Sequence, residues 1–303
     1  MEYGLKAYVI QDIGQRGNQE DSFFPPFLQP CHFDMTEREE AYYEGTAHTT
    51  DSLFILCDGM GGHERGEVAS RTVCDIVSSH IQQAEREGQP FSDDLVRSAV
   101  SAALAALDAA EDPSTKRKMG TTMTLLKVHA NGATIAHIGD SRVYHFRPAS
   151  GRHDARMLFR TEDHNLATML LKNGSMTFQQ VRNFAQRHVL TRALQAYLDR
   201  RVEVDIYHTK DIKPGDVFFL CSDGILEELY DEDLCSMLTN KEYTDEQRLQ
   251  ILMTFCEGNK DNHTAWFVRV ERCGNSVYDP QPSVARPSVR VRIVSRIKSL
   301  FGL

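Results

Sequence analysis

The sequence predicts an α+β fold in which sheets are covered by helices, and three observations predict it. Apolar segments are short and bordered by turn residues, as antiparallel strands are. Two long stretches carry apolar residues at helical spacing. The two kinds do not alternate strictly, as they would in a parallel βαβ sheet.

The strands read in order as 6–12, 53–57, 121–129, 133–138, 142–147, 202–207, 217–221 and 264–270, each an alternating or continuous apolar run. The first helix, 67–87, places Val68, Val73, Ile76, Val77 and Ile81 on one face. The second, 93–112, repeats Leu95, Val96, Ala99, Val100, Leu104 and Leu107 and ends at Pro113. A third helical pattern starts at Thr244, a side chain suited to capping, and runs to Cys256. Residues 23–51 hold Pro25, Pro26, Pro30 and the acidic run Glu37, Glu39, Glu40, and read as an inserted loop with one short helix. After Cys273 the composition changes to prolines and then Arg286, Arg290, Arg292, Arg296 and Lys298, so 274–303 reads as a linker and basic tail behind a domain of residues 1–273.

Composition narrows the function. An apolar fraction of 41% and a charged fraction of 25% belong to an ordinary folded protein and exclude a disordered or fibrous one. A net charge of −9 argues against nucleic-acid binding, which needs surplus Lys and Arg. Seven cysteines without C-x-x-C pairs, two of them inside buried-looking strands, read as reduced core thiols and imply the cytoplasm. Residues 1–10 lack the pattern of a signal peptide, and no apolar run reaches the roughly 18 residues of a membrane span.

The chemistry lies at strand ends. Strand 53–57 runs into Asp58-Gly59-Met60-Gly61-Gly62, and strand 217–221 runs into Ser222-Asp223-Gly224. A carboxylate there projects into a cleft, and the glycine beside it lets a backbone carbonyl approach a hard cation. Alone, either is a turn; the repeat of the design makes that reading less satisfactory. Asp261 stands just before the last strand, and Arg16, Glu20 and Asp21 follow the first. Paired divalent ions could lower the pKa of water and neutralise a phosphoryl group, while Arg16 could grip phosphate oxygens bidentately.

Eight segments in order, RGNQED, LCDGMGGH, MGTTMT, IGDSRVY, TEDHN, HVLTRAL, GDVFFLCSDGI and KDNHTAW, resemble the metal-dependent protein phosphatases, the PPM or type-2C Ser/Thr family, over residues 3–270. The resemblance implies a central β-sandwich of two antiparallel sheets flanked by α-helices, a four-layer αββα arrangement, with a flap subdomain at about 166–194. It implies two core Mn2+ or Mg2+ ions, with Asp58 bridging, the Gly59 carbonyl on one and Asp223 and Asp261 on the other. By the same resemblance Glu20 and Asp21 act through metal-bound water, Arg16 is the phosphate clamp, and Asp163 helps Asp223 hold a weaker third ion. The implied reaction is hydrolysis of phosphoserine and phosphothreonine in proteins by direct attack of a metal-bridging water, opposing a bacterial-type Ser/Thr kinase. Thr121, Thr122 and Asp140 match motif positions and are expected to be structural. Many eukaryotic members place a histidine after the Asp-Gly pair; Met60 stands there in this chain, as in bacterial-type members, which leaves the general acid unassigned, and His63 reads as a surface residue.

Two rivals stay open on sequence grounds: a catalytically idle module that binds phosphoproteins, and a hydrolase of small phosphate esters. The tail offers a helical face of Ile293, Val294, Ile297, Leu300 and Phe301 flanked by basic residues, suited to an anionic membrane or an acidic partner and so to a peripheral location; a solvated, frayed end is the competing reading.

Overall fold

The computed structural model describes residues 2–26, 41–49, 52–60, 65–116, 118–151, 153–197 and 202–278, with the backbone alone for 41–49 and 182. In chain order the elements are β1 (Tyr3–Asp12), β2 (Asp21–Phe24), β3 (Ala41–Thr49), β4 (Ser52–Met60), α1 (Gly66–Arg86), α2 (Asp93–Ala110), β5 (Gly120–Thr121), β6 (Met123–His129), β7 (Gly132–Ile138), β8 (Arg142–Arg147) and β9 (Arg156–Arg160). They continue as α3 (Leu166–Lys172), α4 (Phe178–Arg182), β10 (Leu194–Gln195), β11 (Asp205–Thr209), β12 (Val217–Cys221), a 3-10 turn (Asp223–Leu226), α5 (Asp231–Leu238), α6 (Asp245–Cys256), β13 (His263–Cys273) and β14 (Ser276–Val277).

Two antiparallel sheets stack face to face. One runs β3-β1-β13-β12-β8-β9 with β14 on β13, the other β10-β5-β4-β6-β7-β11 with β2 on β4. The period of two along each strand sorts side chains between layers. On β4, Phe54 and Leu56 enter the space between the sheets, while Leu53, Ile55 and Cys57 pack under α1 and α2. On β12, Phe218 and Leu220 face the other sheet, while Val217, Phe219 and Cys221 pack under α5 and α6. Both faces of these strands are therefore buried, which is why they read as continuous apolar runs. Trp266 crosses the middle, its indole Nε1 donating to the Ile55 carbonyl at 3.2 Å. The expected helix-sheet-sheet-helix layering is what forms.

Helix starts follow local chemistry. Ser92 accepts from Leu95 N–H at 3.2 Å, and Thr244, the expected cap, exchanges bonds with Gln247 at both its hydroxyl and its N–H. The six described cysteines are free and buried. Among the described residues no helix is long and apolar enough to cross a membrane.

The structure departs from expectation in places. The inserted loop of 23–51 holds β3, which pairs with β1 from Gln11↔Ala41 to Tyr3↔Thr49 and edges the first sheet. Residues 41–49 are rich in Tyr and Thr, which favour strands, but their polar neighbours hide the period. The short helix expected within that loop is absent from the described part, and 27–40 lie outside the described residues, as does the tail from 279 onward. The strand expected at 202–207 forms at Asp205–Thr209, on the exposed edge beside β7.

Candidate active site

The site stands at one end of the sandwich, where β4, β12 and β7 stop and β2 and β13 begin. Continuing the alternation of Phe54 and Leu56, Asp58 falls on the inner side of β4, with Asp21 as its register partner on β2. Its backbone is pinned: the N–H donates to Thr122 Oγ1 at 3.0 Å, and the carbonyl accepts from Thr121 Oγ1 at 2.8 Å and Thr122 N–H at 2.9 Å. The two threonines thus hold the base of the site.

Gly59 packs where no side chain fits. A Cβ would lie 2.3 Å from the Gly66 carbonyl oxygen and 2.6 Å from that of Glu20, whose oxygen also accepts the Gly59 N–H at 3.1 Å. Glu20 is carried there by Asn262, a buried amide that uses both ends: Oδ1 accepts the Glu20 N–H at 2.8 Å, and Nδ2 donates to Ile13 and Asn18 carbonyls at 2.8 and 3.0 Å. One side chain therefore sews the loop of Arg16, Glu20 and Asp21 onto the loop of Asp261. Glu227 steadies the other side of that loop, accepting the N–H groups of Lys260 and Asp261 at 3.1 and 2.9 Å. Gly14, at φ 62°, lies so close to the Asp261 carbonyl that a Cβ would sit 2.2 Å away.

The carboxylates that result crowd one another. Asp21 is buried; Oδ2 accepts from Ser222 Oγ at 2.9 Å, and Oδ1 has no donor among the described residues. Burial first, then Asp223 and Asp261, push its pKa up to about 7. Burial and the charges of Asp21, Asp223, Asp140 and Asp261 push Asp58 well above the carboxylate range. Asp140 rises to about 8 through burial, Asp223 and Asp163. Asp261 is answered by Arg16, which donates to its Oδ2 at 2.7 Å, and His188 Nδ1 lies 3.5 Å from Asp223 Oδ2.

Arg16, Glu20, Asp21, Asp58, Gly59, Asp223 and Asp261 are therefore brought to one place. Asp163 is near, but both its oxygens accept from Arg142, at 2.7 and 2.6 Å, and Arg142 also reaches Tyr144 Oη and Asp231, each at 3.0 Å. Asp140, read from sequence as structural, faces Asp223 instead. A signal was available, since strand 133–138 ends in Gly139-Asp140 much as 53–57 ends in Asp58-Gly59. Glu227 carried no comparable sequence signal, while Asn262 and His188 stand inside the KDNHTAW and HVLTRAL segments without a role having been read for them. Met60 packs its Cε toward Gly120, and His63 lies outside the described residues.

The donor set fits divalent cations. It offers hard oxygen donors, a buried carboxylate oxygen with no proton donor among the described residues, a glycine packed where no side chain fits, and carboxyls raised in pKa by burial and by one another's charge.

A profile described as Protein phosphatase 2C matches residues 41–252. The serine/threonine protein phosphatase PstP of Mycobacterium tuberculosis is 31% identical over 229 residues, 75% of this chain and 41% of that protein, so the chain spans about two-fifths of that relative. A protein named putative protein phosphatase 2C-type from Streptococcus pyogenes is 30% identical over 223 residues, 73% of this chain and 86% of that one. The crystal structure of the Mycobacterium tuberculosis enzyme superposes with a TM-score of 0.67 at 26% identity, covering 89% of this chain and 100% of the other. A second PstP structure, the catalytic domain in complex with two manganese ions, superposes with a TM-score of 0.63 at 25% identity over 88% and 99% of the two chains. Sequence match and shared architecture agree, and the chain belongs to the protein phosphatase 2C family.

Proposed function

We propose that the chain hydrolyses phosphoserine and phosphothreonine in proteins, by direct attack of water and with the help of divalent cations, Mn2+ or Mg2+. The observation that carries this is the convergence of Asp21, Asp58, Asp223 and Asp261, from four separated segments, with Asp21 Oδ1 left without a donor among the described residues. Family membership and the manganese-bound relative support it.

Asp58, the Gly59 carbonyl, Asp223 and Asp261 would hold two core ions, and Glu20 and Asp21 would reach them through water. Asp223 with Asp140, and with Asp163 adding charge beside Arg142, would hold a weaker third. Bound there, the cations supply Lewis acidity for the phosphoryl group and lower the pKa of water. The chain's own residues do the rest. Arg16, half exposed and held by Asp261 through one guanidinium nitrogen, would take phosphate oxygens bidentately. Asn262 and Glu227 fix the loops that set the Arg16 to Asp261 spacing. The α3-α4 segment and the return through Leu190 form the flap of this proposal, and exposed Met169, Phe178 and Val189 there would meet residues flanking the phosphorylated one.

A bacterial-type Ser/Thr kinase would be the opposing partner. The tail beyond residue 278 is proposed to hold the protein at an anionic membrane surface, and the insertion to influence substrate choice. The test is phosphate release with Mn2+ from phosphothreonine peptides against small phosphate esters. The proposal expects peptides to lead in kcat/KM and Asp58→Asn to lose more than about 100-fold, beyond what outer-shell changes cost. Faster small esters would make it a hydrolase of another class. Peptide binding without turnover would make it the idle module.

A further inference from the structure

We infer that His188 is a protein ligand of the third cation, so that an ion there ties the segment following α4 to the strand ends of the sandwich. The inference rests on the cation chemistry proposed above and adds to it a nitrogen donor from a different part of the chain.

One ligand atom each of Asp140, His188 and Asp223 lies within 4.8 Å of the others. An octahedral ion at about 2.0–2.1 Å from its ligands separates them by about 3–4 Å, so small side-chain adjustments would close the set. The three donors are differently mounted. Asp140 is 6% exposed and follows Gly139, whose N–H and carbonyl are both held by His164, the N–H donating to Nδ1 at 3.0 Å and the oxygen accepting from the backbone at 2.9 Å. Asp223 opens the 3-10 turn after β12. His188, 56% exposed at its side chain, is the one donor of the three outside the sandwich. Its neighbours are nevertheless fixed: Val189 accepts the Leu166 N–H at 2.8 Å, and Leu190 bridges Asn165. The imidazole is therefore delivered to the site by an anchored backbone.

A second grouping, His137, His164 and Asp205, has similar spacing but the wrong chemistry. His164 Nδ1 already accepts from Gly139, so its Nε2 carries the proton and donates to Asp205 at 3.1 Å, and the Arg192 guanidinium lies 3.0 Å from the same nitrogen. Arg192 also donates to Asp205 Oδ1 at 2.6 Å, so the carboxylate of that group already has a cation beside it. Of the two groups found among the described residues, the His188 group is the better suited to an ion.

Two consequences follow. A nitrogen ligand favours Mn2+ at this position over Mg2+, which prefers oxygen. Ion binding would also protect the peptide bond after exposed Arg187, one residue before the ligand.

The test uses the full chain titrated with Mn2+, with pulsed EPR for coupling to a histidine nitrogen and trypsin cleavage after Arg187 as a second readout. The expected result is a third, weaker Mn2+ that shows nitrogen coupling and slows that cleavage. In His188→Ala the coupling disappears, protection is lost and the third site weakens at least about tenfold, the two tighter ions remaining. A third Mn2+ without nitrogen coupling in the unaltered chain overturns the inference, as does coupling that survives His188→Ala. A chain that binds no Mn2+ and releases no phosphate overturns the proposed function itself, so the two failures are told apart.

Discussion

Replacing Asp21 by Asn should stabilise the metal-free protein at alkaline pH while destroying what the site is for. The Asp21 carboxyl is buried, with one oxygen unanswered among the described residues, and its pKa rises from 3.8 to about 7 through burial and then through the charges of Asp223 and Asp261. The folded state thus holds this proton more tightly than the unfolded chain does. A raised carboxyl contributes stability at low pH that is lost as pH climbs through the folded value. The rise corresponds to about 4 kcal/mol in all, with about 2–3 kcal/mol lost between pH 5 and pH 8. Asn carries no charge and forgoes that loss, and it relieves Asp58, which Asp21 pushes upward. Urea unfolding with chelator present, at pH 5 and pH 8, measures it: the unaltered chain should weaken as pH rises and Asp21→Asn should weaken far less. Saturating Mn2+ should restore the unaltered chain at pH 8 and help the variant less. Equal pH dependence in the two chains would refute the electrostatic reasoning.

Other changes probe separate parts of the account. Asn262→Ala removes three hydrogen bonds, one of them from the partly buried Glu20 N–H, so it should cost about 2–4 kcal/mol in denaturant unfolding and lower kcat/KM by loosening the Arg16 loop. Gly59→Ala forces a Cβ against two carbonyl oxygens and should lower stability by more than about 2 kcal/mol, read as a fall in Tm with the metal removed. Arg16→Ala should raise KM for phosphopeptides at least about tenfold while unfolding at an unchanged midpoint, since the side chain is half exposed. Truncation after Tyr278, whose ring covers Gly215 and Arg269, should leave the fold intact and abolish flotation with anionic liposomes; equal flotation would remove the membrane proposal.

The strands and helices were legible because their period is local, while the stacking of two sheets between helices came from the family resemblance. Leu53 to Cys57 and Val217 to Cys221 read as buried strands, and Thr244 declared its helix by a bond that spans three residues. Illegible were elements whose identity comes from a distant partner. Ala41–Thr49 is a strand because β1 lies beside it, and Arg156–Arg160 because β8 does. Asp231–Leu238 is too short for its period to stand out. The site divides the same way. Asp58 and Asp223 announce themselves at strand ends; Asp140 shares that strand-end signal, but its nearness to Asp223 shows only in the fold, as does that of His188, which needs the chain after α4 to return across Asn165. Asp163 shows the reverse: a suggestive motif whose oxygens are occupied by an arginine two strands away in sequence.

The most direct test is phosphate release from a phosphothreonine peptide by the full chain in Mn2+, run beside Asp223→Asn and beside a chelator. The account predicts turnover in the unaltered chain, a loss of more than about 100-fold in the variant and none left with the chelator. Turnover that survives both the substitution and the chelator would contradict it.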